Sequence, residues 1–152
     1  MDNTSLFKRK HLLVNHTPRE KLNEEEKAYI LKNGLVHYFS DQFWDKINKV
    51  GLKTEWNKPM KRTEKNLLWF FINDEKGNNE GLKEFHSKKA EHRTSDIYKT
   101  CKCVWYPNEE QIEKLLFRQC GRAYALYYTY NAPAIVYGTD IGADNMEIVR
   151  VV

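Results

Sequence analysis

The chain has 152 residues, 13% of them aromatic, and its 25 lysines and arginines against 21 acids give a formal charge of +4. That length suits one domain with a real core and leaves no comfortable room for a second, while the charge permits a polyanionic partner but falls short of the density of a dedicated nucleic-acid binder. No apolar window approaches the length of a membrane span, and Met1 to Lys10 is polar and basic, so no secretory leader is expected. Three cysteines, an odd count with Cys101 and Cys103 two apart, make no disulfide framework, and a reducing cytoplasm is the expected location.

Residues 1–21 lack periodicity and carry Lys8-Arg-Lys10, which reads as a flexible or loosely docked basic arm ahead of a single domain over 22–152. Asn23 followed by Glu24-Glu-Glu26 has the form of a capping box, with acids at the positive end of the helix dipole, so a helix should run from there to about Lys32 and stop at Gly34. Leu35-Val-His-Tyr-Phe-Ser40 is then a strand, with Leu35, His37 and Phe39 on one face and Val36, Tyr38 and Ser40 on the other. Ser40 can cap a short helix whose Phe43, Trp44 and Ile47 share a face, and Gly51 suits its left-handed end.

Residues 53–66 form a polar connection with five basic residues, and Leu67-Leu-Trp-Phe-Phe-Ile72 is a continuous apolar run of the kind found in a central strand covered on both faces. Gly77-Asn-Asn-Glu-Gly81 reads as a loop before an amphipathic helix from Leu82 to Ala90. Residues 97–106 alternate as a half-buried strand, and Asn108 with Gln111 caps a helix that places Ile112, Leu115 and Leu116 inward and ends at Gly121. Strands are expected at 123–130, 134–140 and 147–152. The pattern is α+β, without regular βαβ alternation and without a Gly-rich phosphate loop.

The His37 strand, the helix behind it and Gly51-Leu52 resemble the opening segment of the ADP-ribosyltransferase superfamily, in particular the branch of DNA-modifying toxins and tRNA 2′-phosphotransferases. The small hydroxyl usual two residues after the histidine is Phe39 here, and Ser40 lies one further on. The resemblance implies a split β-structure with short flanking helices that binds NAD between two small sheets, and a macromolecular acceptor, either nucleic acid or protein. It assigns His37, Tyr38 and Ser40 to the cofactor from the first strand and Trp69 and Phe71 from the second, with His37 on the ribose and Trp69 on the nicotinamide ring. Transfer passes through a positively charged, oxocarbenium-like sugar, so the site must orient the cofactor and stabilise that charge.

The family's glutamate falls on Pro133 or Ala134, and neither side chain can do its chemistry. A carboxylate elsewhere (Asp140, Asp144 or Glu147) could stand in, basic residues such as Arg122 could act as in the phosphotransferase branch, or the chain could bind without catalysing, as a host-takeover or inhibitory protein. A third class is a small nucleic-acid-binding protein, to which Arg122 and Tyr124, Tyr127, Tyr128 and Tyr130 would contribute phosphate contacts and stacking. The ordinary alternatives are a half-buried structural histidine, a core tryptophan, exposed terminal acids and a tyrosine-rich strand in the core. Cys101-Lys-Cys103 with His86 or His92 lacks the paired spacing of structural zinc, and no metal is expected.

Overall fold

Asn23 opens the first helix. In the computed structural model, which describes residues 6–7, 19–56, 67–84, 99–118 and 134–151, its side chain accepts the Glu26 N–H at 2.8 Å while the Glu26 carboxylate accepts the Asn23 N–H at 2.9 Å. Two of the donors orphaned at a helix start are thereby satisfied reciprocally. Helix α1 spans Glu24–Asn33 and ends at Gly34, whose φ of 79° is the left-handed region glycine tolerates. Glu26 is fully buried, and its second oxygen accepts the Phe7 N–H at 2.7 Å. The Phe7 ring meets Tyr29 edge-on at 6.2 Å, so the described part of the expected arm is tied to α1.

The remaining framework is one antiparallel sheet of seven strands among the described residues: β1 Arg19–Lys21, β2 Leu35–Ser40, β3 Leu68–Ile72, β4 Lys99–Trp105, β5 Leu116–Arg118, β6 Ala134–Tyr137 and β7 Met146–Arg150. Their order is β1-β5-β6-β3-β2-β4-β7, and with the short helices the class is α+β. The apolar run lies at the centre, as its composition predicts, and pairs with β2 on one side and β6 on the other. Strand β1 occupies an edge against β5, so Arg19, Glu20 and Lys21 belong to the sheet rather than to an arm.

Alternation along the strands sorts the core into two layers. On the first face Leu35, Phe39, Phe70, Ile72, Cys101, Cys103 and Trp105 join Ile30 of α1 and Ile47 of helix α2, Trp44–Val50. On the second face Val36, Tyr38, Val104 and Phe71 meet Leu82 of helix α3, Glu75–Glu84. Phe43 departs from the expected inward stripe of α2: it sits in the 3-10 turn Asp41–Phe43 that precedes the helix and is 46% exposed.

Helix α3 begins earlier than its sequence suggests and takes in the whole Gly77–Gly81 stretch expected to be a loop. Its start is held by Asp74, whose carboxylate accepts the Gly77 N–H at 2.7 Å. A Cβ at Gly77 would collide with the Ile72 carbonyl oxygen, and one at Gly81 with the Tyr38 ring. These glycines therefore let a helix lie directly on the sheet, which outweighs their poor helix propensity. The helix after Pro107 is shorter than expected. Asn108 and Gln111 form the anticipated capping box, but α4 covers only Glu109–Ile112, and from Leu116 the chain pairs as β5 with β1 and β6. Ile112, Leu115 and Phe117 are all buried by that turn, so a place in the sheet wins over continued helix.

Gly81→Val should cost about 1–3 kcal/mol, the range for forcing volume into a packed contact, seen as a lower urea midpoint at unchanged slope. An unaltered midpoint would contradict the flush seating of α3 on Tyr38.

Candidate functional site between the second and third strands

Strand β2 is bonded to its two neighbours unequally. Against β4 the pairs Leu35↔Trp105, Val36↔Val104, His37↔Cys103, Tyr38↔Lys102 and Phe39↔Cys101 run almost its full length. Against β3 there are two, Leu35↔Ile72 and Val36↔Phe71, prolonged at one end by the Asn73 N–H donating to the Gly34 carbonyl at 2.9 Å. Strand β3 meanwhile stays paired with β6 from Leu68 to Phe71. The backbone ladder between β2 and β3 thus stops at His37.

A side chain takes over where the ladder ends. The His37 Nδ1 lies 2.9 Å from the Trp69 carbonyl oxygen, and the imidazole meets the Phe70 ring edge-on, with ring centres 6.0 Å apart and 68° between the planes. A carbonyl oxygen only accepts, so Nδ1 must carry the proton and donate, which in the neutral ring makes Nε2 the acceptor. The half-buried imidazole is therefore fixed in tautomer by one bond and in orientation by an aromatic edge.

The other expected cofactor residues do not gather around it. Tyr38 is buried on the second face, where its hydroxyl donates to Asn78 Oδ1 at 2.7 Å and burial pushes its pKa upward. Trp69 and Phe71 alternate onto that same second face, so the backbone carbonyl of Trp69, and not its indole, meets His37. Ser40 follows a register shift in β2, is buried, and accepts the Gln42 N–H at 3.4 Å as the cap of the 3-10 turn. The ring beside His37 is Phe70, a neighbour of Trp69 in the same apolar run. The apolar run offers aromatics to both faces, and the register of β3 against β2 is what selects among them.

The expected charge-stabilising groups are dispersed. Asp140 accepts the Thr54 N–H at 2.8 Å and the Thr54 hydroxyl at 3.0 Å, with Lys53 Nζ at 3.6 Å. It closes a latch beside the Leu52↔Ile141 bridge, and the Thr54 backbone bond, ahead of Thr54's hydroxyl and Lys53, holds its pKa below the ordinary value. Glu147 is exposed on β7 opposite Val104, on the second face, and Asp144 is exposed in the turn Ala143–Asn145. At the glutamate position, Ala134 is buried and paired with Phe71. Arg122, Pro133, the tyrosines from 124 to 130, His86 and His92 lie outside the described residues.

Cys101 and Cys103 are free thiols buried on the first face, and Cys103 pairs across the ladder with His37. Burial, with a smaller contribution from Cys101, pushes the Cys103 thiol up to about 12, so it is no nucleophile near neutral pH. Among the described residues no cluster of histidine, cysteine or acid could hold a metal ion. Comparison of the chain with protein-family models, with curated proteins and with solved structures returned no match.

Two outcomes follow from these surroundings. Asp140→Asn should be less stable than the parent at neutral pH, because a carboxylate whose folded pKa is depressed contributes stability above its unfolded value near 3.8 and loses it as pH falls through the lower folded value. Denaturant titrations should show the gap closing in acid; a gap that persists there would assign the effect to something other than the ionised latch. Native Cys103 should also resist a thiol reagent at pH 8 and react once the chain is unfolded. Rapid modification of the folded chain at Cys103 would contradict its burial.

Proposed function

We propose that this chain is an NAD-dependent ADP-ribosyltransferase-like protein with a macromolecular acceptor, nucleic acid or protein. The observation that carries the reading is the end of the β2–β3 ladder at His37, on a strand whose neighbour β3 bears the aromatic run and whose next neighbour β6 begins at the glutamate position. The short β2–β3 ladder lies within one continuous seven-stranded sheet, and His37, fixed where that ladder ends, is the polar side chain the reading uses. His37 would orient the ribose while Nδ1 stays on the Trp69 carbonyl, and the buried Phe70 packs against the imidazole from the core side. Bound there, NAD supplies the scissile bond between nicotinamide and ribose; the chain's own part is to bind and orient.

A second reading, a silent binding or inhibitory module on the same fold, is favoured by the buried methyl of Ala134 at the glutamate position and by the commitment of Asp140 to Thr54 and Lys53. Among the described residues no helix is long and apolar enough to cross a membrane. A reducing compartment such as the cytoplasm goes with this reading, because an odd cysteine count makes no disulfide framework.

A ligand that binds only the folded chain stabilises it by mass action, about 2.7 kcal/mol at a hundred times its dissociation constant. NAD should accordingly raise the melting temperature in a concentration-dependent way, and His37→Ala should abolish that rise. Release of nicotinamide with extract present supports the enzyme; a melting shift without release supports the silent module. No shift at millimolar NAD overturns the proposal.

A further inference from the structure

Two large rings, one in the turn before α2 and one in the turn after it, lie outside the core. Phe43 is 46% exposed and Trp56, in the 3-10 turn Thr54–Trp56, is 37% exposed. Lys46 stands one helical turn after Phe43 and its ammonium lies 4.5 Å from the centre of the Trp56 ring, which joins the two aromatics into one patch. Trp44 carries a second cation, the Arg150 guanidinium, 4.2 Å from its ring centre. Arg150 is neutralised by Asp41, and Lys49 is exposed on the helix alongside Asp45.

Exposed rings interleaved with lysines are costly to leave in water and fit a partner that offers flat π-faces and negative charge together. A duplex hides its base faces in the stack; a single strand presents them and carries a phosphate at every step. We infer that Phe43, Lys46 and Trp56 form a platform for single-stranded nucleic acid, with bases stacked on the two rings and Lys46 released from Trp56 to a phosphate. In naming nucleic acid as the acceptor the inference rests on the reading above; as a binding surface it stands apart from His37. The exposed acids Asp45 and Glu55 limit affinity, and the Lys46–phosphate contact makes it sensitive to salt.

The test is fluorescence anisotropy of labelled twenty-nucleotide dT and U strands, and of a duplex of equal length, with the full chain at low salt and without NAD. Single strands should bind at least about tenfold tighter than the duplex, and Phe43→Ala and Trp56→Ala should each weaken binding on the order of tenfold, the scale of one lost stack, with quenching of tryptophan fluorescence in the parent. Trp56→Phe should retain most of the affinity and Lys46→Met should reduce the salt dependence. Melting temperatures confirm that the variants fold, and the aromatic replacement keeps the test sound if an alanine variant does not. Equal or tighter binding of the duplex, no binding at low salt, or alanine variants that bind like the parent would overturn the inference. Loss of strand binding in Phe43→Ala with the NAD melting shift intact supports a surface separate from His37. An NAD shift in a parent that binds no strand overturns this inference alone, and strand binding in a parent that shows no NAD shift overturns the functional reading alone.

Discussion

Backbone donors and acceptors inside a fold must find partners, and the edge that β2 would present to β3 beyond Val36 is where this molecule meets that demand with a side chain. The His37 ring reaches the Trp69 carbonyl at 2.9 Å, a side-chain link between the two strands just past their last backbone pair. Strand β4 holds β2 along its other edge through Cys103 and its neighbours, while β6 does the same for β3. On the first face Phe117, Ile135 and Phe70 form one register row, His37, Cys103 and Ile148 another, and the Phe70 and His37 rings meet between the two. His37 is the polar member of an otherwise apolar row. Its position is set by packing on both sides, which is what a site that must hold a ligand in one orientation requires.

The second face provides the rigid backing. Asp74, at the junction of β3 and α3, receives the Tyr29 hydroxyl at 2.8 Å as well as the Gly77 N–H. Burial, reinforced by the bond to Asp74, raises the Tyr29 pKa to about 12, so its hydroxyl remains a donor throughout the ordinary pH range. Asn78 takes the Tyr38 hydroxyl and donates to Asn73 at 2.9 Å and to the Asp74 carbonyl at 2.8 Å. A helix that approaches through two glycines and is stitched to β2 and β3 by these bonds fixes the second face of the strands whose shared ladder is short.

Features governed by neighbouring residues were legible in the sequence. The capping boxes at Asn23 and Asn108, the stops at Gly34 and Gly51 and the central apolar strand all rest on spacings of a few residues. Features governed by distant pairing were not. Gly77 and Gly81 look like loop residues until Ile72 and Tyr38 are seen beneath them, and the helix after Pro107 looks longer until β6 claims Leu116 to Arg118. Trp69 and Phe70 are interchangeable by composition, and only the register Val36↔Phe71 puts Phe70 beside His37. Asp140 carries the right charge for chemistry, yet its place in the chain sets it against Thr54, eighty-six residues away, as a latch.

The link between β2 and β3 depends on the proton of one ring. Proton–nitrogen correlation of the histidine side chains, with His37→Gln for assignment, should show His37 at neutral pH with its proton on Nδ1 and that proton exchanging slowly with water, as the bond to the Trp69 carbonyl requires. A neutral His37 with its proton on Nε2, or one averaging freely between the two forms, would mean that the ring does not bridge β2 and β3.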